Sequence, residues 1–276
     1  AIYDISTRGF QDEPLLGYSS DAEAIKGITG LIADQRKLLR DSIGDPEQIP
    51  QIYLPYKEAL TLYNKGLEIP DDVTLCWVDD NFGYIRQLPT PKEQERSGGN
   101  GIYYHLSYLG TPAPYLWLSS MSPSFLSYEL SKGYQAGIKR FWMFNVGDIK
   151  PAEEELQFCM DLAWNIEAWK PTEAYKYSEH WAEETFGTDV AKEISDIKLE
   201  YYALAAACKP ELINRMDFTN EEFNERVKRY TALCDRVNAL KSKIRGNLQD
   251  AFYELIEYPV KGAAEMNTKI IRARQS

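Results

Sequence analysis

Eight side chains of this chain could share proton-transfer chemistry: Arg8, Asp12, Glu58, Asp79, Asn81, His105, Tyr108 and Asn145. Each follows a short apolar run. Val73-Thr74-Leu75-Cys76-Trp77 leads into Val78-Asp79-Asp80-Asn81-Phe82-Gly83, and Ile102-Tyr103-Tyr104 leads into His105 and Tyr108. Arg8-Gly9-Phe10-Gln11-Asp12-Glu13-Pro14 follows the first run, Tyr56-Lys57-Glu58 the second, and Asn145-Val146-Gly147-Asp148 closes the fifth. Buried strands that end in polar groups are the pattern of an α/β barrel, whose chemistry collects at the carboxyl ends of its strands. Each group also has a local alternative. Asp12 or Glu13 could cap a following helix, Glu58 could open one, Asp148 could be a cap, and His105 could be a satisfied core histidine. Asp79-Asp80-Asn81 is the strongest of the set, because acids and an amide after an apolar strand are not needed for folding.

A ring of acids with few nucleophile–base pairs suits glycoside chemistry. One carboxyl group protonates the leaving oxygen, and the other activates water or attacks the anomeric carbon. The chain has no Gly-rich phosphate loop after a strand, no GxSxG turn and no Cys–His pair placed for nucleophilic attack.

These groups need elements to position them. Ile2 to Thr7, Gln51 to Tyr56, Val73 to Val78, Ile102 to Leu106 and Arg140 to Asn145 read as strands. Asp21 to Ser42, Lys57 to Lys65 (ended by Gly66) and Ser122 to Gln135 read as helices. The alternation implies parallel βαβ units. Five strands are too few for a closed barrel of eight, so the rest would come from elsewhere in a parent chain. Beyond Trp169-Lys170-Pro171 the apolar spacing is helical, Thr219-Asn220-Glu221-Glu222 looks like a helix start, and a helix from Ile244 to Tyr258 is expected to end at Pro259, with room for a last one from Val260. The expected architecture is α/β: part of a (β/α)8 TIM-type barrel over residues 1–170, then an all-α helical bundle of four or five helices over 171–276.

A net charge of −11 argues against nucleic acid and anionic membrane surfaces as partners. The chain's 19 Tyr and 6 Trp suit stacking on sugar faces, although most such rings fill cores. Four scattered cysteines read as buried free thiols, and two histidines leave little for a zinc site. His180 reads as structural. No metal or cofactor is required by the chemistry, although a carboxylate-rich site could hold an adventitious Ca²⁺ or Mg²⁺. No signal peptide or spanning run is present, and the first residues read as mid-strand, as if the chain begins inside a domain.

The run DDVTLCWVDDNFGYIRQLPTPKEQERSGGNGIYYHLSYLG, with STRGFQDEP and YLPYKEAL before it and RFWMFNVGDIKPAEEELQFCMDLAWN after it, resembles glycoside hydrolase family 115. Members of that family are xylan α-1,2-(4-O-methyl)-glucuronidases. The resemblance covers roughly residues 1 to 170 and implies that the chain is an internal or truncated portion of a longer enzyme. It implies an inverting mechanism with Glu58 as general acid, Asp12 as water-activating base and Asp79 as third catalytic candidate. Arg8 would meet the glucuronate carboxylate, with Asn81, His105, Tyr108 and Asn145 toward the sugar. Glucuronoxylan or aldouronic acid oligosaccharides would be the substrates, no cofactor is implied, and a secreted or periplasmic location follows from where xylan lies. The helical half could flank the barrel or pair two copies as a homodimer. The competing readings are a non-catalytic carbohydrate-binding or scaffold remnant, inactive as an isolated fragment, and a barrel hydrolase of some other glycan.

Overall fold

A computed structural model describes residues 1–9 and 13–275. Strands and helices alternate through β1 (Tyr3–Asp4), α1 (Asp21–Ser42), β2 (Gln51–Tyr53), α2 (Glu58–Asn64), β3 (Thr74–Val78), α3 (Pro91–Gln94), β4 (Asn100–His105), α4 (Pro123–Gln135) and β5 (Ile138–Asn145). Among the described residues every regular element after β5 is helical: α5 (Glu153–Trp164), α6 (Tyr177–Phe186), α7 (Thr188–Ala207), α8 (Asn220–Lys241), α9 (Gln249–Phe252) and α10 (Tyr258–Gln275), with short 3₁₀ and π segments and irregular connections between them. The strands lie in chain order in one sheet, and β1 to β4 pair in parallel. Parallel neighbours in sequence order are what right-handed βα crossovers generate. The fold is therefore part of a TIM-type barrel followed by a helical region, as the sequence pattern implied.

Backbone contacts divide the chain into two compact units, Ala1–Tyr104 with Lys132–Phe144, and His105–Ser131 with Asn145–Ser276. In the first unit, α1 begins where Ser20 accepts a hydrogen bond from the Glu23 amide, and it buries Ala24, Ile28, Ile32 and Leu39 along one face. Ser20, not Glu13, is thus the cap of the first helix. Strands β2, β3 and β4 are buried almost without alternation, as parallel strands covered on both faces are. Strands β1 and β2 are shorter than their apolar runs. Past Tyr53 the ladder gives way to a side-chain bond, the Leu54 amide donating to Ser6 Oγ at 2.7 Å, and Pro55 follows.

Gly101 shows how tightly the sheet is drawn. A methyl group there would lie 2.5 Å from the Phe141 carbonyl oxygen on β5 and 3.0 Å from Cys76 Sγ on β3. Backbone cannot give way cheaply in a sheet, so Gly101→Ala is expected to cost about 1–3 kcal/mol, read from urea denaturation midpoints. An unchanged midpoint would show that the β4–β5 spacing is looser than these distances.

In the second unit, α8 starts with a capping box in which Thr219 and Glu222 satisfy each other's amides. Arg226 of α8 is buried. Its guanidinium donates to the Leu204 and Cys208 carbonyls at the end of α7, at 2.8 and 2.7 Å, and to Asn267 Oδ1 of α10 at 2.6 Å. One cation thereby caps one helix and fastens a third. Pro259 does not end a helix, contrary to the sequence expectation. It is the second residue of α10, and α9, the π-helical turn over Tyr253–Glu257 and α10 run on without a break, so the widened π turn directly before the proline accommodates its missing N–H and its ring.

The four cysteines are free, with Cys76, Cys159 and Cys208 buried, and burial pushes the Cys76 thiol up to about 12. Among the described residues no helix is long and apolar enough to cross a membrane, and no cluster of three or more His, Cys, Asp or Glu is arranged to hold a metal ion.

Candidate active site

The candidate residues divide between the two units. In the first, Arg8 follows β1 and Glu58 opens α2 after β2, and the two meet as a fork. Arg8 Nε donates to Glu58 Oε1 at 3.1 Å and Nη2 donates to Oε2 at 2.9 Å. Their side chains are 11% and 28% exposed, so the pair is sheltered yet still reachable by solvent. Two parallel charge-assisted bonds fix both the position and the plane of the carboxylate.

Tyr56 organises what surrounds this fork. Its ring lies under the Arg8 guanidinium at 5.2 Å and the Lys57 ammonium at 4.8 Å. Its hydroxyl donates to Asn81 Oδ1 at 2.8 Å, and its ring and that of Tyr103 meet edge to face with centroids 6.3 Å apart. The chain reaches Glu58 through Lys57, a non-glycine residue held at φ 52° and ψ −119°. Such backbone geometry costs about 1–3 kcal/mol and persists only where the surroundings impose it. Asn81 also has positive φ, 69°, a conformation that asparagine tolerates better than most residues.

The loop after β3 is held by its own acids. Buried Asp79 accepts from the Gly83 amide at 2.7 Å. Asp80 accepts from the amides of Phe82 and Tyr84 and from Arg86 Nε, so its role is to shape the turn. Tyr104 completes the loop by donating to the Gly83 carbonyl at 2.7 Å. Asp12 lies outside the described residues.

In the second unit, His105 and Tyr108 follow β4, and their rings meet edge to face at 5.4 Å. Both are buried. Tyr108 donates to the Thr111 carbonyl at 3.1 Å, and Gly110 leaves the space that the phenol fills, since a methyl there would come within 2.4 Å of the hydroxyl. Asn145 ends β5, and its carbonyl accepts from the Leu106 amide at 2.9 Å. His180 lies on α6 with Glu184 3.5 Å away, and its ring packs against Trp169 and Tyr177.

Sequence reasoning did not single out Tyr56, because an aromatic beside an acid looks the same in a core as in a site. The signal was its place in Tyr56-Lys57-Glu58, two residues before a candidate acid at a strand end. A groove of about 710 Å³ lined by Tyr63, Glu93 and Arg96 among others belongs to the segments that precede β3 and β4. In a barrel that end serves stability, and the chemistry belongs to the other.

The chain as a whole is similar to known proteins. The family model for glycosyl hydrolase family 115 matches residues 1–212. Among solved structures the chain is similar to BtGH115A, described as a novel family GH115 4-O-methyl-α-glucuronidase with specificity for decorated arabinogalactans, at 39% identity and a TM-score of 0.93. That match covers 99% of this chain but 38% of BtGH115A, so the chain spans well under half the length of this relative. No curated protein matches the chain. The family model covers most of the sequence, and the similarity in structure runs through nearly all of it. The chain belongs to glycosyl hydrolase family 115.

Proposed function

We propose that this chain carries the carboxylates of an inverting α-glucuronidase that removes (4-O-methyl-)α-D-glucuronic acid side chains from glucuronoxylan or its aldouronic acid oligosaccharides. Residues 1–170 are the barrel portion, residues 171–276 a helical bundle domain, and the remaining barrel strands come from the rest of the parent protein. The observation that carries this reading is the Arg8–Glu58 fork. A guanidinium presented in that geometry suits a second carboxylate as well as the first.

The mechanism follows from exchanging one carboxylate for the other. The uronate takes the Arg8 fork and releases Glu58, whose oxygens both accept from Arg8 in the unliganded protein. An anionic substrate next to the released Glu58 favours its protonated form, because like charges disfavour a second ionisation. Protonated Glu58 then donates to the leaving oxygen while Asp12 activates water on the opposite face. Asp79 is the third catalytic candidate, and Asn81, His105, Tyr108 and Asn145 meet sugar hydroxyls or orient the acid. A neutral sugar would leave the fork closed and Glu58 unable to donate. The substrate's charge is therefore part of the catalysis. A secreted or periplasmic location fits a polysaccharide substrate.

A second reading of the polymer is favoured by BtGH115A, whose specificity is for decorated arabinogalactans. The two readings share the uronic acid and differ in the chain that bears it. An NMR time course on the full-length protein, given glucuronate-branched xylo-oligosaccharides and decorated arabinogalactan in parallel, separates them. Uronic acid appearing first as the β anomer from the xylan substrate is expected. Release from arabinogalactan alone would move the substrate, α-anomer product would remove the inverting mechanism, and binding without release would favour a carbohydrate-binding role.

A further inference from the structure

Between β4 and α4 the chain runs from Leu106 to Ser122 with no helix and no strand beyond the bridge that joins Tyr108 to Tyr115. Irregular segments of this length are usually functional or else held by their neighbours. Here the segment is held by charged groups of the helical region. Lys209, two residues after α7, donates to Ser120 Oγ at 2.8 Å and sets its ammonium 4.2 Å from the centroid of the buried Tyr115 ring. Tyr115 exchanges both backbone hydrogen bonds with Tyr108, each 2.9 Å, and the Tyr108 ring abuts His105. From α5, fully buried Glu155 accepts at Oε1 from Ser119 Oγ at 2.8 Å and from the Met121 amide at 2.6 Å, while Oε2 has no hydrogen-bond partner. Tyr202 of α7 also reaches this place, its hydroxyl 3.3 Å from Ser119 Oγ.

Apolar side chains could have packed here at less cost, because a buried charge is expensive unless well paired. What the charges add is direction: they grip chosen backbone and hydroxyl groups of the segment and fix its register. We propose that Lys209 and Glu155 are positioning residues for turnover, holding the segment after β4 so that the Tyr108–Tyr115 bridge fixes the Tyr108 ring against His105. The helical region is then a working part of the enzyme rather than an appendage. Neither residue touches substrate. The proposal rests on the reading above that His105 and Tyr108 meet the sugar.

Lys209→Met keeps the length and apolar stem of the side chain and removes the charge and the donor. In the full-length protein it is expected to lower kcat/KM for glucuronate-branched oligosaccharides about tenfold or more, chiefly through kcat. The Tyr108, Tyr115 and Met121 amides should exchange with deuterium about tenfold faster or more, with amides of α8 as the internal control. Lys209→Arg, which keeps charge and donor, should recover most of both effects. Glu155→Leu, which removes the acceptor for Ser119 and Met121, should behave as Lys209→Met does. Unchanged exchange in Lys209→Met overturns the proposal, and so does faster exchange with turnover intact. Equal loosening in α8 shows a general loss of stability and overturns it too. If the unsubstituted protein releases no uronic acid, the glucuronidase reading fails and the turnover role falls with it. The exchange rates would still decide whether Lys209 holds the segment.

Discussion

Glu58→Gln, introduced into the full-length protein, is expected to lower kcat on glucuronate-branched xylo-oligosaccharides by about 10²–10⁴-fold, the range that general acid catalysis supplies. The amide offers Arg8 one neutral acceptor in place of the present fork, which the uronate displaces more easily, so KM should not rise while kcat falls. The leaving group decides which role is lost. A sugar alkoxide needs its proton at the moment of cleavage, whereas an activated phenol leaves without one. If Glu58 is the acid, the variant should lose far less on an aryl α-glucuronide with a good leaving group. If Glu58 activates water, the two substrates should lose equally. An equal loss would therefore transfer the base role to Glu58 and leave Asp12 as the acid. Turnover unaffected on both substrates would remove Glu58 from the chemistry, and the fork would be a structural ion pair. Asp12→Asn is the companion variant, and the leaving-group test applies to it with the opposite expectation.

Whether such residues were legible beforehand depended on how local their signals were. The span of helix α1 was readable because its apolar residues, Ala24, Ile28, Ile32 and Leu39, recur at helical spacing within the segment itself, whereas its cap, Ser20, was not singled out. The strand ends were readable because polar groups after buried runs have no folding reason to be there. What could not be read was pairing at a distance. Arg8 and Glu58 stand 50 positions apart, and nothing in either neighbourhood says that they form a fork. Pro259 misled for the same reason. Proline is a strong local stop, but the π turn before it and the packing of α10 are set by the rest of the bundle. The buried ions of the helical region were hidden most completely. Lys198, Arg226 and Glu257 each look like part of a solvated helix face, and they are buried because partners on other helices satisfy them.

Two adjacent glutamates on α5 carry that point into a measurable pH dependence. Both are buried, but they are served differently. Glu154 pairs with the Lys198 ammonium and also accepts from Ser178 and Tyr202. Glu155 has neutral donors only, Ser119 and the Met121 amide, with Lys209 and Lys198 acting on it through space. Tyr201 and Tyr202 of α7 and Cys159 of its own helix also face its charge. Burial dominates, and it pushes the Glu155 carboxyl from 4.5 up to about 7. In the unfolded chain the group ionises near 4.5, so between roughly pH 4.5 and 7 the folded protein binds a proton that the unfolded chain has lost. The stability tied to this proton is complete below pH 4.5, falls as pH rises toward 7 and stays lost above it. The rise in the carboxyl's value corresponds to about 3 kcal/mol. Glu155→Gln keeps an acceptor for Ser119 and Met121 and cannot ionise. The stability of the variant relative to the unsubstituted protein is therefore expected to improve by about 3 kcal/mol between pH 4 and pH 8. Every other titrating group cancels in that difference as long as the amide leaves its surroundings unchanged. Urea denaturation of both proteins across the range measures it. A difference that stays constant with pH would mean that Glu155 ionises in the folded protein as it does in water, and that the lysines of α7 and its end neutralise it after all.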